Sequence, residues 1–421
     1  MIQIVKTSSL PLLTDGCSAN LSDRIQRKEF YAKAVKERGH QAFSVDLGEL
    51  VDQFGLTAVS DAVEGLLLGG YHTERFPAVP RPEPEIELTG LPAEAEAIVR
   101  ETEVLVRGIC WARDMTNRPG NLLRPADFAR EVQRLFEGLP AEVEILEEDK
   151  LQQLGLNAIL SIGQSSAYRP CLCIIRYRGD PENGPVTGLV GKGVTCDTGG
   201  YCLKASSSMA GIRGDMGGGA AVAGAIYALA KNGVRANVTG LIPMVENRIS
   251  DGALLPGDVI TSYSGKTIEI VNTDAEGRLI LADAVSFAVL AEHVDRVLDI
   301  ATLTGGVCAS LGFGVAGMLC DQEEFYHEFE QAAARAGERY LRFPIYPEYE
   351  KMIDSEVADV KNMGGQFAGT ITAGLFIRRF ANQVPWLHVD IAGTAWTDPP
   401  VFEYQAKGAT GAGVTTLYYL R

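Results

Sequence analysis

The sequence predicts an α/β protein: a small N-terminal α/β domain over residues 1–95, a long connecting helix over 96–116, and a larger C-terminal α/β domain over 117–421. Three observations carry this. The chain has 421 residues, long for one core, so two domains are expected. Short strand-like and helix-like runs alternate along it, as in a sheet flanked by helices with functional residues at strand ends. Between the two alternating regions lie a proline-rich connector, residues 76–84, and a long helical pattern.

Taken in chain order, residues 41–47 read as a strand and 59–68 as a helix. The long helix runs over 94–115, with Ile98, Val104, Ile109 and Ala112 recurring at helical spacing. It stops at Asn117-Arg118-Pro119-Gly120-Asn121. Residues 186–190 form a compact strand, 217–231 a helix of small apolar residues, and 236–245 another strand. Residues 259–271 form a hairpin turning at Ser264-Gly265, 279–291 a helix, and 296–300 a strand.

Composition narrows the function classes. With 46% hydrophobic and 22% charged residues the chain is ordinary for a soluble protein. No apolar stretch approaches the ~20 residues that span a bilayer. Residues 1–13 lack the apolar core and small-residue cleavage site of a signal peptide, so a cytoplasmic location is expected. Eight scattered cysteines without a CxxC pair read as reduced, mostly buried thiols. A net charge of −16 argues against nucleic acid or an anionic membrane as a main partner.

The chemistry concentrates in two segments. Asn272-Thr273-Asp274-Ala275-Glu276-Gly277-Arg278-Leu279 sets two carboxylates two residues apart, then an arginine, ahead of an apolar helical run. Such carboxylates can meet one ion or bridge a pair, and the arginine can hold an anion beside them. The bland alternative is a solvated turn with a helix-start signal. Upstream, a strand runs into glycine-flanked Lys192, then Asp197, Gly199-Gly200, Lys204, and Asp215 beside Gly217-Gly218-Gly219. Glycines crowded around charges indicate backbone packed close to something small, such as ions or a substrate main chain. A P-loop reading of Gly191-Lys192-Gly193 fails, because the spaced glycine and the following Ser or Thr are absent. No two of the five histidines have a metal-binding spacing, and His388, in an apolar strand, reads as a core residue. Oxygen ligands must therefore carry any metal chemistry. Asp197, Asp215, Asp274 and Glu276 supply four negative charges, which two divalent cations would neutralise; without cations they would repel and shift towards protonation.

These segments resemble the leucyl aminopeptidase family of two-metal exopeptidases. The resemblance covers about residues 100–421 and runs through VGKGVTCDTGG, Lys204, GDMGG, NTDAEGRL, ATLTG (301–305), HVDIAG (388–393) and the ending GATGAGV (408–414). It implies a catalytic C-terminal domain with a mixed central sheet. It also implies one divalent cation on Asp197, Asp274 and Glu276 and a second on Lys192, Asp197, Asp215 and Glu276. Mn²⁺ or Zn²⁺ is expected, with Mg²⁺ or Co²⁺ as alternatives. The resemblance gives Lys204 the stabilisation of the oxyanion and Arg278, with Gly277, a bicarbonate that relays the proton from the metal-bridging water. Asn272, Ile212, Thr302, Leu303, Gly305 and Ala392 would line the substrate site. The expected substrates are short peptides cleaved at the amino end, and the expected assembly is a homohexamer of two stacked trimers. Cys196, Thr198, Ile212 and Ala395 depart from the residues common in the family, the last two in the first side-chain pocket, so side-chain preference is expected to differ.

Two other readings make different predictions. A non-catalytic binding or scaffold member would carry a broken set, whereas Lys192, Asp197, Lys204, Asp215, Asp274, Glu276 and Arg278 are all present. A metal-dependent phosphoryl-transfer enzyme would need a phosphate-cradling loop that the sequence lacks.

Overall fold

A computed structural model describes residues 2–13, 21, 23–73, 76, 84–182 and 184–421. Residues 77–83 of the expected proline-rich connector lie outside the described residues, as does Cys17. The other seven cysteines are free thiols, four of them buried. No described helix is long and apolar enough to cross a membrane.

The N-terminal region forms a three-stranded parallel sheet in the spatial order Ile2–Ile4, Ile86–Thr89, Phe43–Asp46. Helices Arg24–Arg38 and Ala58–Gly69 pack on it around Phe43, Val45, Leu50, Val59 and Val63. The long helix spans Ala95–Asn117 and is shared between two cores. Ala95 and Val99 belong to the small one, while Leu105, Ile109, Ala112 and Met115 belong to the large one. It crosses helix Gly217–Lys231 at a glycine pair: a Cβ on Gly108 would lie 2.5 Å from the carbonyl oxygen of Gly224.

Residues from Ala141 onward build a nine-stranded mixed sheet. Its order is Tyr340–Arg342, Ala316–Cys320, Trp386–Asp390, Arg296–Ala301, Val186–Gly191, Asn237–Asn247, Cys171–Arg178, Ala141–Glu147. The ninth strand, Gly193–Asp197, pairs the far end of Asn237–Asn247. The four central strands, from 386–390 to 237–247, are mutually parallel. Side chains alternate between the faces as a strand's period of two requires: Cys173 and Ile175 enter one core, Leu172 and Ile174 the other. Helix Gly217–Lys231 covers the first face and helix Glu276–Leu290 the second. The expected hairpin is present as Val259–Thr261 against Thr267–Glu269.

Helix Glu276–Leu290 is pinned at mid-length by Asp283, which is fully buried. Its carboxylate accepts backbone N–H groups of Ala158 (2.7 Å), Ile159 (3.1 Å) and Tyr263 (2.7 Å). Burial outweighs those bonds and pushes its pKa up to about 7. A folded-state pKa above the unfolded value adds stability below pH ~4 that is lost as pH rises through the folded value. The stability margin of the wild type over Asp283→Asn should therefore shrink between pH 4 and 8, by on the order of 4 kcal/mol. Urea unfolding of both proteins across that range checks this; a margin that widens with pH refutes it.

Candidate metal centre

The charged residues come together at the C-terminal ends of the parallel strands, where ligands bind in open α/β sheets. Strand Val186–Gly191 ends at Lys192, whose N–H donates to the carbonyl of Ile300 at 3.1 Å. The chain then steps sideways into Gly193–Asp197, which ends on Asp197. Asp215 lies two residues before helix Gly217–Lys231, and Glu276 is the first residue of its own helix. Two helix N-termini on opposite faces of the sheet thus point towards the carboxylates, a favourable setting for negative charge.

Gly191, Gly193, Gly218 and Gly219 serve close packing of the helix and strands. A Cβ on Gly218 would lie 2.1 Å from the carbonyl oxygen of Ile300, and one on Gly191 2.6 Å from that of Gly218. They let the helix sit directly on the strands. Two glycines do front the charged groups. A Cβ on Gly277 would lie 2.5 Å from Lys192 Cε, and one on Gly199 2.9 Å from Asp274 Oδ1. Gly199 also has a φ of +88°, so glycine is required there twice over.

Carboxylate oxygens of Asp197, Asp215 and Glu276 lie within 4.8 Å of one another. Lys192 Nζ sits 2.7 Å from Asp215 Oδ2, 2.8 Å from Glu276 Oε1 and 3.1 Å from the carbonyl oxygen of Thr302. Asp274 stands outside that triangle and is linked to it through Lys204, whose Nζ contacts Asp274 Oδ1 and lies 2.7 Å from Asp197 Oδ2. Exposure gives the centre a direction. The Lys192 and Glu276 side chains are 4% and 1% exposed, those of Lys204 and Asp274 23% and 32%. The centre is therefore open on the Lys204–Asp274 side.

The electrostatics follow from burial and crowding. Burial, reinforced by neighbouring carboxylates, raises the pKa values of Asp197, Asp215 and Asp274 above the usual aspartate range. Burial disfavours the Lys192 ammonium, but Asp215, Glu276 and Asp197 outweigh it and hold its pKa above that of an ordinary lysine. Lys204 is raised in the same way, chiefly by Asp197 against its own burial. Four carboxylates thus face two ammonium groups, and Glu276 Oε2 has no partner while Oε1 meets Lys192. A buried carboxylate oxygen without a donor is costly unless a cation meets it. The donor set of carboxylate oxygens and one amine suits divalent cations.

Around this core, Asn247 Nδ2 donates to Asp197 Oδ1 (2.9 Å) and to the carbonyl of Thr273 (3.0 Å). Thr302 Oγ1 donates to Asp215 Oδ1 at 2.8 Å. Asn272 Oδ1 accepts the Asp274 N–H at 2.7 Å, closing the turn that leads to Glu276. Arg278 is buried and donates from Nη1 to the Asn362 carbonyl at 2.8 Å, while its Nε has no hydrogen-bond partner. Burial lowers its pKa to about 10, which leaves it a cation at neutral pH.

The residues expected to line the substrate site divide into two groups. Thr302, Leu303 and Ala392 lie together at adjacent strand ends, the last two donating backbone N–H groups to Asp390. Ile212 accepts the Asp197 N–H at 3.1 Å, and Gly305 faces open space. Asn247, Asn362 and Asp390 hold the site's backbone and were not anticipated. They lie tens of residues from the groups they hold, and nothing local marks them. His388 is fully buried with Nδ1 2.5 Å from Asp299, a core pairing as expected.

Comparison with known proteins agrees with this geometry. The catalytic-domain model of the cytosol aminopeptidase family matches residues 110–418. A probable cytosol aminopeptidase of Clostridium perfringens is 42% identical over 402 residues, covering 93% of this chain and 81% of the relative. One from Methylobacterium radiotolerans is 42% identical over 360 residues, covering 84% and 71%. Among solved structures, the bottromycin maturation enzyme BotP in complex with Mn superposes with a TM-score of 0.87 at 32% identity, covering 94% of this chain and 87% of that one.

Proposed function

The chain belongs to the cytosol aminopeptidase family and is an aminopeptidase, and from that premise we propose that it releases amino-terminal residues from short peptides with two divalent cations. Lys192, Asp197, Asp215 and Glu276 would hold one cation, with Lys192 as a neutral amine whose proton is lost to burial and the adjacent dications; Asp197, Asp274 and Glu276 would hold the other. When bound, such ions lower the pKa of a water and act as Lewis acids on the scissile carbonyl. The observation that carries this reading is the buried cluster of Asp197, Asp215 and Glu276, in which Glu276 Oε1 meets only Lys192 and Oε2 has no partner.

The protein's own groups supply the rest. With the aspartates committed to cations, the Lys204 ammonium is free to face the substrate carbonyl oxygen and stabilise the charge that develops on it. Thr302 fixes the rotamer of Asp215 and gives Lys192 a carbonyl to donate to, so both ligands are held before substrate arrives. Arg278 would hold a bicarbonate through the donors that Asn362 leaves unused, with Gly277 beside it. Asn272, Ile212, Thr302, Leu303, Gly305 and Ala392 would line the first side-chain pocket and the peptide path. Residues 1–95 would form a domain of their own, hinged on the 96–116 helix to the catalytic domain over 117–421. A cytoplasmic homohexamer is the assembly we propose.

Chelation should abolish hydrolysis of aminoacyl amides and dipeptides, and Mn²⁺ or Zn²⁺ should restore it. Peptides acetylated at the amino end should resist cleavage, because the free amine is proposed to bind a cation. Metal-loaded protein that releases no residue from such a panel overturns this reading.

A further inference from the structure

One buried carboxylate near the centre touches none of its ionic groups, yet governs the segment that does. Asp390, fully buried, ends strand Trp386–Asp390, directly opposite Ala301 in the neighbouring parallel strand. Its Oδ1 accepts the N–H groups of Leu303 (3.1 Å), Thr304 (3.4 Å) and Ala392 (3.1 Å), and its Oδ2 accepts Thr304 Oγ1 at 2.6 Å. Thr304 Oγ1 also accepts the Val307 N–H at 3.2 Å and so caps helix Gly305–Leu311. Asp390 thus makes four of the hydrogen bonds that hold the turn after strand Arg296–Ala301 and the chain beside it, with Thr370 Oγ1 also 2.9 Å from Thr304 Oγ1. The residue that opens the turn is Thr302, and it contacts both groups on one side of the centre. Its Oγ1 donates to Asp215 Oδ1 at 2.8 Å, and its carbonyl accepts from Lys192 Nζ at 3.1 Å.

We propose that Asp390 is a positioning residue for the Lys192–Asp215 half of the centre, acting through the Thr302–Leu303–Thr304 turn. The inference rests on the two-cation reading above. Its physical basis is that a carboxylate accepting several backbone N–H groups holds a loop more rigidly than neutral partners do. An amine and a carboxylate oriented by the same residue keep a fixed mutual geometry, and groups behind the ligands set metal affinity in this way. Asp274, on the other half, is oriented instead by Asn272. The effect of Asp390 must therefore be unequal between the two cations.

Calorimetric titration of the full-length protein with Mn²⁺, together with the Mn²⁺ EPR spectrum, tests this. Asp215→Asn identifies which of two binding steps belongs to the Lys192–Asp215 half. Asp390→Ala should weaken that step about 10- to 100-fold and leave the other in place. Asp390→Asn, which keeps an Oδ1 acceptor, should restore it towards wild type. Thr302→Val removes only the donor to Asp215 and should weaken the same step about 10-fold, and it carries the test where Asp390→Ala does not fold. Equal weakening of both steps, or a Thr302→Val protein with both steps unchanged, overturns the inference alone. Wild-type protein that takes up no Mn²⁺ overturns the two-cation reading and the inference with it.

Discussion

Replacing Glu276 with alanine is expected to abolish peptide hydrolysis and tight metal binding together. The side chain is 1% exposed, with Oε1 facing only Lys192 and Oε2 without a partner, so its charge has no work in the fold other than facing Lys192 and a cation. With Asp197 it is one of two residues proposed to serve both cations, and it is the first residue of a helix that is pinned by Asp283. Losing a bridging ligand forfeits several kcal/mol of Lewis-acid stabilisation, or about 10³-fold in turnover at least. Removing the carboxylate also leaves Lys192 facing Asp215 alone at 2.7 Å, so the variant should fold with that pair intact. Glu276→Gln preserves the packing volume and separates charge from shape. Metal content by elemental analysis and turnover on a dipeptide should fall in parallel for both variants. Wild-type metal content in either one removes Glu276 from the proposed ligand set.

Lys204→Ala should behave differently. Turnover should fall about 10²- to 10³-fold, the typical cost of one lost oxyanion donor, while both cations stay bound. The reason lies in exposure. Lys204 occupies the open side of the centre, its side chain 23% exposed, and it contacts carboxylates that would be committed to cations. It therefore contributes to the transition state and not to the cage, and the loss should appear in kcat rather than in KM or in metal stoichiometry. A variant that keeps full turnover, or one that loses metal together with activity, contradicts that role.

Much of the centre is legible in the sequence because its charged groups sit at strand and helix ends that local pattern already marks. The strand leading to Lys192, the helix starting at Gly217 and the apolar run after Glu276 all follow from periodicity, and the structure places their ends within three residues of expectation. Helix Glu276–Leu290 begins three residues earlier than its apolar run because Glu276, Gly277 and Arg278 form its first turn. The turn-and-helix-start reading of the NTDAEGRL segment thus describes its local structure correctly. The glycines were harder to read. Their spacing signals close approach, but only the fold shows that Gly218 and Gly191 approach backbone while Gly277 and Gly199 approach Lys192 and Asp274.

By itself the sequence determined which residue types are present: four carboxylates, two lysines and an arginine embedded in glycine-rich and apolar surroundings where solvated charge has no place. It also determined the alternation of elements that delivers them to one edge of a sheet. The tertiary structure alone decided that Asp197, Asp215 and Glu276 form a triangle while Asp274 stands apart across Lys204, and which side is open. It alone brought in Asn247, Asn362 and Asp390. The physical reason is range: periodicity and turn chemistry act over a few residues, whereas most of the hydrogen bonds that orient this centre span 26 to 110 positions and exist only once the strands are in register.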